Sequence, residues 1–97
     1  MARKHDVRLA VLADLARKPQ VPLTLDALAA GTLMGEAGVS RPELMEELPG
    51  LIEHGYVVNH LAGRGWLLKI AARGLDQVRL DAPRDEYVYG DAAYIGR

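Results

Sequence analysis

The sequence predicts an α+β fold that is mainly α: a three-helix core, a two- or three-stranded β-ribbon and a short fourth helix. Three observations lead to this prediction. Apolar residues recur at helical spacing in three segments, a helix-capping motif begins at Ser40, and a glycine-bracketed arginine separates two β-type runs. A chain of 97 residues has room for one core, so we expect one domain over residues 1–82 and a tyrosine-rich tail over residues 83–97.

The first two helices are predicted from the spacing of their apolar residues. The first is expected from about Asp6, as its N-cap, to Lys18, just before Pro19. Residues 20–23 are typical of a short extended link, and Thr24 is expected to cap a second helix. The apolar faces are Leu9, Leu12, Ala13 and Ala16 in the first helix, and Leu25, Leu28, Ala29 and Leu33 in the second.

The third helix has the clearest start. Ser40-Arg41-Pro42-Glu43 is a capping box. In this motif the serine hydroxyl accepts from the Glu43 amide, and the Glu43 carboxylate accepts from the Ser40 amide. Its apolar residues are Leu44, Leu48, Leu51 and Ile52. We expect a helix over residues 40–54 with a disruption at Pro49, because proline removes a helical hydrogen bond and crowds the preceding turn.

A hairpin and a fourth helix follow. Residues 56–59 and 66–70 are rich in β-branched and aromatic types and flank Gly63-Arg64-Gly65, which predicts an antiparallel hairpin that turns near these glycines. Trp66 is expected in the core beneath it. A short helix is predicted from about Ala72 to Leu80.

Composition excludes several classes of site. The chain has no cysteine, which removes disulfides and thiolate chemistry, and no apolar run approaches the roughly 20 residues of a membrane span. His5, His54 and His60 lack the spacing of a metal motif, and no phosphate-binding loop or nucleophile motif is present. We therefore expect a cytoplasmic, non-catalytic protein without metal or cofactor.

Charge is segregated along the chain, although the formal net charge is only −1. Residues 1–18 have five basic and two acidic groups (+3), residues 40–55 one and four (−3), and residues 59–80 four and one (+3). Proteins that bind nucleic acid mainly through phosphates usually have a larger positive excess. This charge balance argues against tight DNA binding by a monomer.

The order of these elements resembles the winged helix-turn-helix family, particularly bacterial regulators of the multiple-antibiotic-resistance and phenolic-acid-decarboxylase types. Residues 38–41 (Gly-Val-Ser-Arg) look like the family's turn into its recognition helix. The leucines at 44, 48 and 51, followed by residues 53–57 (Glu-His-Gly-Tyr-Val), resemble the end of that helix. Residues 70–74, with Val78 beyond them, are similar to the start of the helix after the wing. The match runs from about residue 6 to 80.

Three features depart from the family pattern. The segment between Leu28 and Gly38 is several residues longer than usual, and Ala71 stands where a capping threonine is usual. The third departure is the outward face of the expected recognition helix, which is acidic. It carries Arg41, Glu43, Met45, Glu46, Glu47 and Pro49.

The resemblance implies a set of DNA-contacting residues. Ser40, Arg41 and Met45 would face the major groove, and Arg64 at the wing tip would enter the minor groove, where negative potential is concentrated. Arg3, Lys4 and Arg8 at the amino end could add phosphate contacts. Glu43, Glu46 and Glu47 could accept hydrogen bonds from cytosine amino groups. The alternative for each cation is an ordinary solvated position, and for the three glutamates a solvated helix face.

The tyrosine-rich tail is too apolar to be a purely solvated segment. Its apolar residues could cover the chain's own domain, pair with a sister chain or bind another protein, and we expect the sister chain. They are Tyr87, Val88, Tyr89, Tyr94 and Ile95. The leading hypothesis is thus a homodimeric regulator or phage-type accessory factor that binds double-stranded DNA. The alternative is a protein–protein interaction module that uses the acidic helix face and this tail.

Overall fold

The structure is a computed structural model that describes residues 3–90, and it is an α+β fold that is mainly helical. A long first helix lies at the centre, and a three-stranded antiparallel sheet packs beside it. In chain order the elements are α1 (Arg3–Ala16), β1 (Leu23–Thr24), α2 (Leu25–Ala29), α3 (Thr32–Glu36), α4 (Arg41–Glu53), β2 (Val57–Asn59), β3 (Leu67–Ile70), α5 (Ala72–Arg79) and α6 (Glu86–Tyr89). In the described part of the chain no helix is long and apolar enough to cross a membrane.

The core forms around α1, which contacts α3, α4, α5, α6 and β3. Because neighbours lie on several sides, the buried part of α1 is a broad stripe rather than one narrow face. The fully buried side chains of α1 meet leucines from α2 and α4 and the inner face of the sheet. The fully buried residues of this shared core include Val7, Val11, Leu12, Leu15, Leu28, Leu44, Leu48, Leu51 and Leu68.

The sheet confirms the predicted hairpin and adds a strand to it. Strands β2 and β3 pair antiparallel with Val57 opposite Ile70, and the chain turns between them at the expected glycines. The predicted link before Thr24 ends in β1, which pairs with the other edge of β3. Side chains alternate between faces along each strand, so Leu68 and Ile70 are buried whereas Val58 is exposed. Trp66 is half-buried and packs against the core.

The prediction of one continuous second helix is wrong. Thr24 does cap a helix, since its hydroxyl accepts from the Ala27 amide, but this helix ends at Ala29 and α3 begins at Thr32. The buried Asp14 carboxylate of α1 accepts from the backbone amides of Leu33 (3.2 Å) and Met34 (2.8 Å) and so caps α3 from a distant part of the chain. Gly31 makes room for this contact, because a Cβ there would lie on the carboxylate.

Two details at helix boundaries also need correction. Asp6 is not the N-cap of α1, because the helix already includes Arg3 and Asp6 lies in its first turn. The expected disruption at Pro49 is absent, and α4 is continuous from Arg41 to Glu53. Proline costs the helix the bond to the carbonyl of Met45, but Met45 and Pro49 are both on the exposed side, where water can bond that carbonyl.

The remaining boundaries agree with the sequence. The capping box of α4 is present in both directions, between Ser40 and Glu43. Helix α5 (Ala72–Arg79) agrees with the predicted fourth helix and ends at Leu80 in a left-handed conformation. Its N-cap, Ala71, makes no side-chain capping bond, as expected for a residue without a hydroxyl.

Candidate nucleic-acid interface

The acidic residues of α4 are partly neutralised from within the molecule. Arg3 binds Glu43 (Nε to Oε2, 2.8 Å) and also donates to the carbonyls of Ala37 and Gly38. Arg8 binds Glu47 (2.7 Å), and both side chains are only 11% exposed. The basic block of α1 and the acidic block of α4 therefore compensate each other across the α1–α4 contact.

The Arg3–Glu43 pair is reinforced by the capping box. The hydrogen bond from Arg3 and that from the Ser40 amide lower the pKa of Glu43 to about 2, from an ordinary value of 4.5. The same bond raises the pKa of Arg3. Arg3, which the resemblance implied as a phosphate contact, is thus held by a carboxylate and two carbonyls. Sequence reasoning missed this role because residues 3 and 43 are far apart along the chain.

The first turn of α4 remains accessible. Ser40, Arg41, Met45 and Glu46 are all exposed, so the three residues expected to face DNA lie on one solvent-facing stretch of the helix. Arg41 pairs with Asp26 of α2 (2.6 Å), with side chains 54% and 83% exposed. An exposed pair contributes little to stability, so a phosphate or a base edge can replace Asp26 at small cost.

The β2–β3 hairpin presents the second accessible cation. Arg64 is exposed between Gly63 and Gly65, whose φ angles of 94° and 144° suit glycine. Asn59 holds the turn: its Oδ1 accepts from the amides of Leu61 and Leu67, and its Nδ2 donates to the Gly65 carbonyl (2.9 Å). The turn that carries Arg64 is therefore internally braced. Sequence reasoning did not single out Asn59, although asparagine is common in turns for this reason.

Lys4 faces the acidic side of α4 rather than forming a separate basic arm. It is exposed and lines, with Glu46 and Glu47, a shallow recess of about 200 Å³. Of the three amino-terminal cations expected as phosphate contacts, Arg3 and Arg8 are already paired and Lys4 lies beside carboxylates. Lys4, Arg41 and Arg64 are thus the exposed cations among the predicted DNA contacts, and of these Lys4 lies beside carboxylates of α4.

Two tyrosines of the carboxyl-terminal segment pack on the chain's own domain. The Tyr87 ring stacks on His54 (centroids 3.7 Å apart) and lies under the Arg8 guanidinium (3.8 Å). The Tyr89 hydroxyl donates to the Gln77 carbonyl (2.7 Å), and Val88 between them is fully buried. Residues Tyr94 and Ile95, predicted as dimer contacts, lie outside the described residues.

Asp85 anchors this segment to the domain. Its carboxylate accepts from the Tyr56 hydroxyl, from Arg73 (3.2 Å) and from the Tyr87 amide (2.9 Å). Burial and the hydrogen bond to Asp85 raise the pKa of Tyr56 to about 12. Although burial opposes ionisation of Asp85, the hydrogen bonds from Tyr56, the Tyr87 amide and Arg73 keep its pKa below the ordinary value.

Within residues 3–90 no three histidine, aspartate or glutamate side chains are grouped so as to hold a metal ion. No protein-family model matches this chain, and neither a curated protein nor a solved structure matches it significantly. The likeness to winged-helix regulators therefore depends on the sequence motifs and on their order.

Proposed function

We propose that this chain is a small winged-helix DNA-binding protein, a transcriptional regulator or phage-type accessory factor, without catalytic machinery. Helix α4 would be the recognition helix, and the β2–β3 hairpin would be the wing. Support comes from the order of helices and hairpin, from the capped and exposed first turn of α4, and from Arg64 on a braced hairpin tip.

The observation that carries this proposal is the inward pairing of the acidic residues of α4. Three carboxylates near phosphates would repel DNA. Glu43 and Glu47 instead bind Arg3 and Arg8, which leaves Glu46 as the exposed one of the three. The outward charge of the helix is thus much less negative than its sequence suggests.

The interaction-module alternative has less support, because parts of its two predicted contact surfaces are engaged within the chain. Glu43 and Glu47 are engaged by α1, and Tyr87 and Tyr89 pack on their own domain. Homodimerisation stays part of the DNA-binding proposal because one weakly charged module binds a single half-site poorly. Such a dimer would have to use contacts other than those two tyrosines.

The test measures binding to a random-sequence DNA duplex by fluorescence anisotropy, at low and at physiological salt. Arg64→Ala should weaken binding across sequences and reduce the salt slope by about one unit, as expected for one cation close to phosphates. Lys18→Ala is the control, because it removes one exposed positive charge from outside the proposed surface. It should change the affinity much less. Size-exclusion chromatography of the same samples tests the dimer.

A second variant tests the role of α4. Glu46→Ala should leave binding unchanged or strengthen it, because it removes an exposed carboxylate beside the proposed groove-facing residues. Arg64→Ala and Lys18→Ala variants of equal affinity would show that the hairpin tip has no special role. Wild-type protein that does not bind duplex DNA even at low salt would refute the proposal.

A further inference from the structure

The exposed pair of Asp26 and Arg41 joins the first turns of two helices. Arg41 is the first residue of α4, and its Nη2 donates to Oδ1 of Asp26 in α2 (2.6 Å). Each helix is anchored a few residues further on by a fully buried leucine, Leu28 in α2 and Leu44 in α4. Both side chains of the pair therefore start from backbone that the core holds in place.

The pair with Asp26 leaves most of the Arg41 guanidinium unused. An arginine side chain presents a planar fork of N–H donors, and within residues 3–90 only Nη2 of Arg41 is engaged, by Asp26. The edge of guanine in the major groove offers two acceptors, N7 and O6, which match two N–H groups of one guanidinium. A guanine can therefore bind Arg41 while Asp26 stays in place.

The position of this guanidinium matters because an arginine side chain is long and flexible. A surface arginine without a partner loses rotamer freedom when it binds, and that loss weakens the contact. A carboxylate on a neighbouring helix restricts the rotamers before DNA is bound, so less freedom is lost at the base. An exposed pair of this kind shifts a rotamer population by up to roughly fivefold.

The charge of Asp26 is unfavourable on a surface that binds DNA. Its side chain is 83% exposed beside Arg41, where a carboxylate repels phosphates whatever the sequence. It can nevertheless improve the choice of sequence, because specificity is a difference between affinities.

We propose that Asp26 is a positioning residue, which orients the guanidinium of Arg41 toward N7 and O6 of a guanine in the major groove. This inference rests on the proposed function and adds to it the base that Arg41 recognises.

The test compares Asp26→Ala with Asp26→Asn in the full chain. Both variants lose the same negative charge, but the amide oxygen of asparagine can still accept a hydrogen bond from Arg41. Duplexes that bind the wild-type protein are first selected from a random library. Each guanine of a selected duplex is then replaced in turn by 7-deazaguanine, which lacks the N7 acceptor but still pairs with cytosine. The guanine that Arg41 contacts is the one whose replacement no longer affects binding by Arg41→Ala.

Both Asp26 variants should bind random duplex DNA more tightly than the wild type. Replacement of the contacted guanine should weaken wild-type binding by about tenfold. Asp26→Ala should reduce that factor by roughly two- to fivefold, whereas Asp26→Asn should keep most of it.

Three outcomes would overturn the inference. Unchanged discrimination by Asp26→Ala, or an equal loss in both Asp26 variants, would remove the positioning role and leave the proposed function intact. If Arg41→Ala abolished the effect of no guanine replacement, guanine recognition by Arg41 would be wrong. Wild-type protein that binds no duplex would refute the proposed function itself, and this inference with it.

Discussion

Glu43 shows how one residue can serve local and tertiary structure together. Its carboxylate closes the capping box of α4 with Ser40 and also binds Arg3 of α1. A capping box is readable from four consecutive residues, but the pairing with Arg3 needs the two helices to be packed. The residue that marked a helix start therefore also links α1 to α4.

The lowered pKa of Glu43 predicts a pH dependence of stability. Because the folded-state pKa is depressed, the contribution is present above the unfolded value near 4.5 and is lost as the pH falls toward about 2. Glu43→Gln keeps a capping side chain but loses the charge. Its melting temperature should be lower than that of the wild type at neutral pH and converge with it near pH 2. Glu46→Gln, with an exposed side chain, should follow the wild-type profile, and a Glu43→Gln profile parallel to the wild type would contradict the prediction.

Tyr87 leaves no room for a side chain at Gly50 of α4. A Cβ at this position would lie on the Tyr87 hydroxyl, and the ring cannot move freely because Arg8 and His54 pack against it. Gly50→Ala should therefore destabilise the protein by about 1–3 kcal/mol, despite the better helix propensity of alanine. Urea denaturation measures this change.

Tyr87→Phe provides the matched background for that test. It removes the hydroxyl but keeps the ring, whose Cζ would be 3.4 Å from the new Cβ, an ordinary contact. In this background Gly50→Ala should be neutral or stabilising by up to about 1 kcal/mol. The same cost of Gly50→Ala in both backgrounds would mean that the hydroxyl is not the obstacle.

Helix α3 shows a short element that depends on another element for its start. Five residues form a marginal helix in isolation, and Gly31 at its N-cap has no side chain to satisfy the free amides. Asp14 of α1 does so instead, through Leu33 and Met34. The long segment between α2 and α4, which departs from the family pattern, is therefore organised by α1.

Asp14→Ala should lower the free energy of unfolding by about 1–2 kcal/mol, because it leaves two amides at the start of α3 without their acceptor. Denaturant unfolding gives the value. Asp26→Ala is the control, since it removes a largely exposed carboxylate whose pair with Arg41 should contribute under about 1 kcal/mol. If the two variants lost equal stability, the capping role of Asp14 would have to be abandoned.

At the scale of the whole molecule, the carboxyl-terminal segment belongs to the domain at least as far as Gly90. Asp85 binds Tyr56 and Arg73, and the fully buried Val88 contributes to the same core as α1. The boundary drawn at residue 82 from the sequence therefore separates residues that pack together in the structure.

Truncation after Ala82 should lower the melting temperature, because burial of Val88 alone is worth about 1.5–3 kcal/mol. Truncation after Gly90 keeps α6 and should cost less. Val88→Ala provides a milder test should the shorter chain fail to fold, with an expected loss of about 1–3 kcal/mol. Two truncated chains of equal stability would show that α6 adds nothing to the domain.

Local patterns in the sequence were sufficient for the fold class, α4, the hairpin and α5. A capping box, a glycine-bracketed turn and apolar periodicity each involve residues close together in sequence. The roles of Ser40, Gly63 and Leu48 can therefore be predicted without knowledge of the fold. The same residues pointed to Arg41 and Arg64, which the structure leaves exposed.

Tertiary structure alone decided the break between α2 and α3, the lack of room for a side chain at Gly50, and the engagement of Arg3. Each depends on groups far apart in sequence: Asp14 with Met34, Tyr87 beside Gly50, and Arg3 with Glu43. The structural role of a charged residue or a glycine cannot be assigned until its neighbours in space are known, because hydrogen bonding and close packing act over a few ångströms. For that reason a helix that is acidic in sequence has two of its four carboxylates, Glu43 and Glu47, paired with arginines of α1 in the folded molecule.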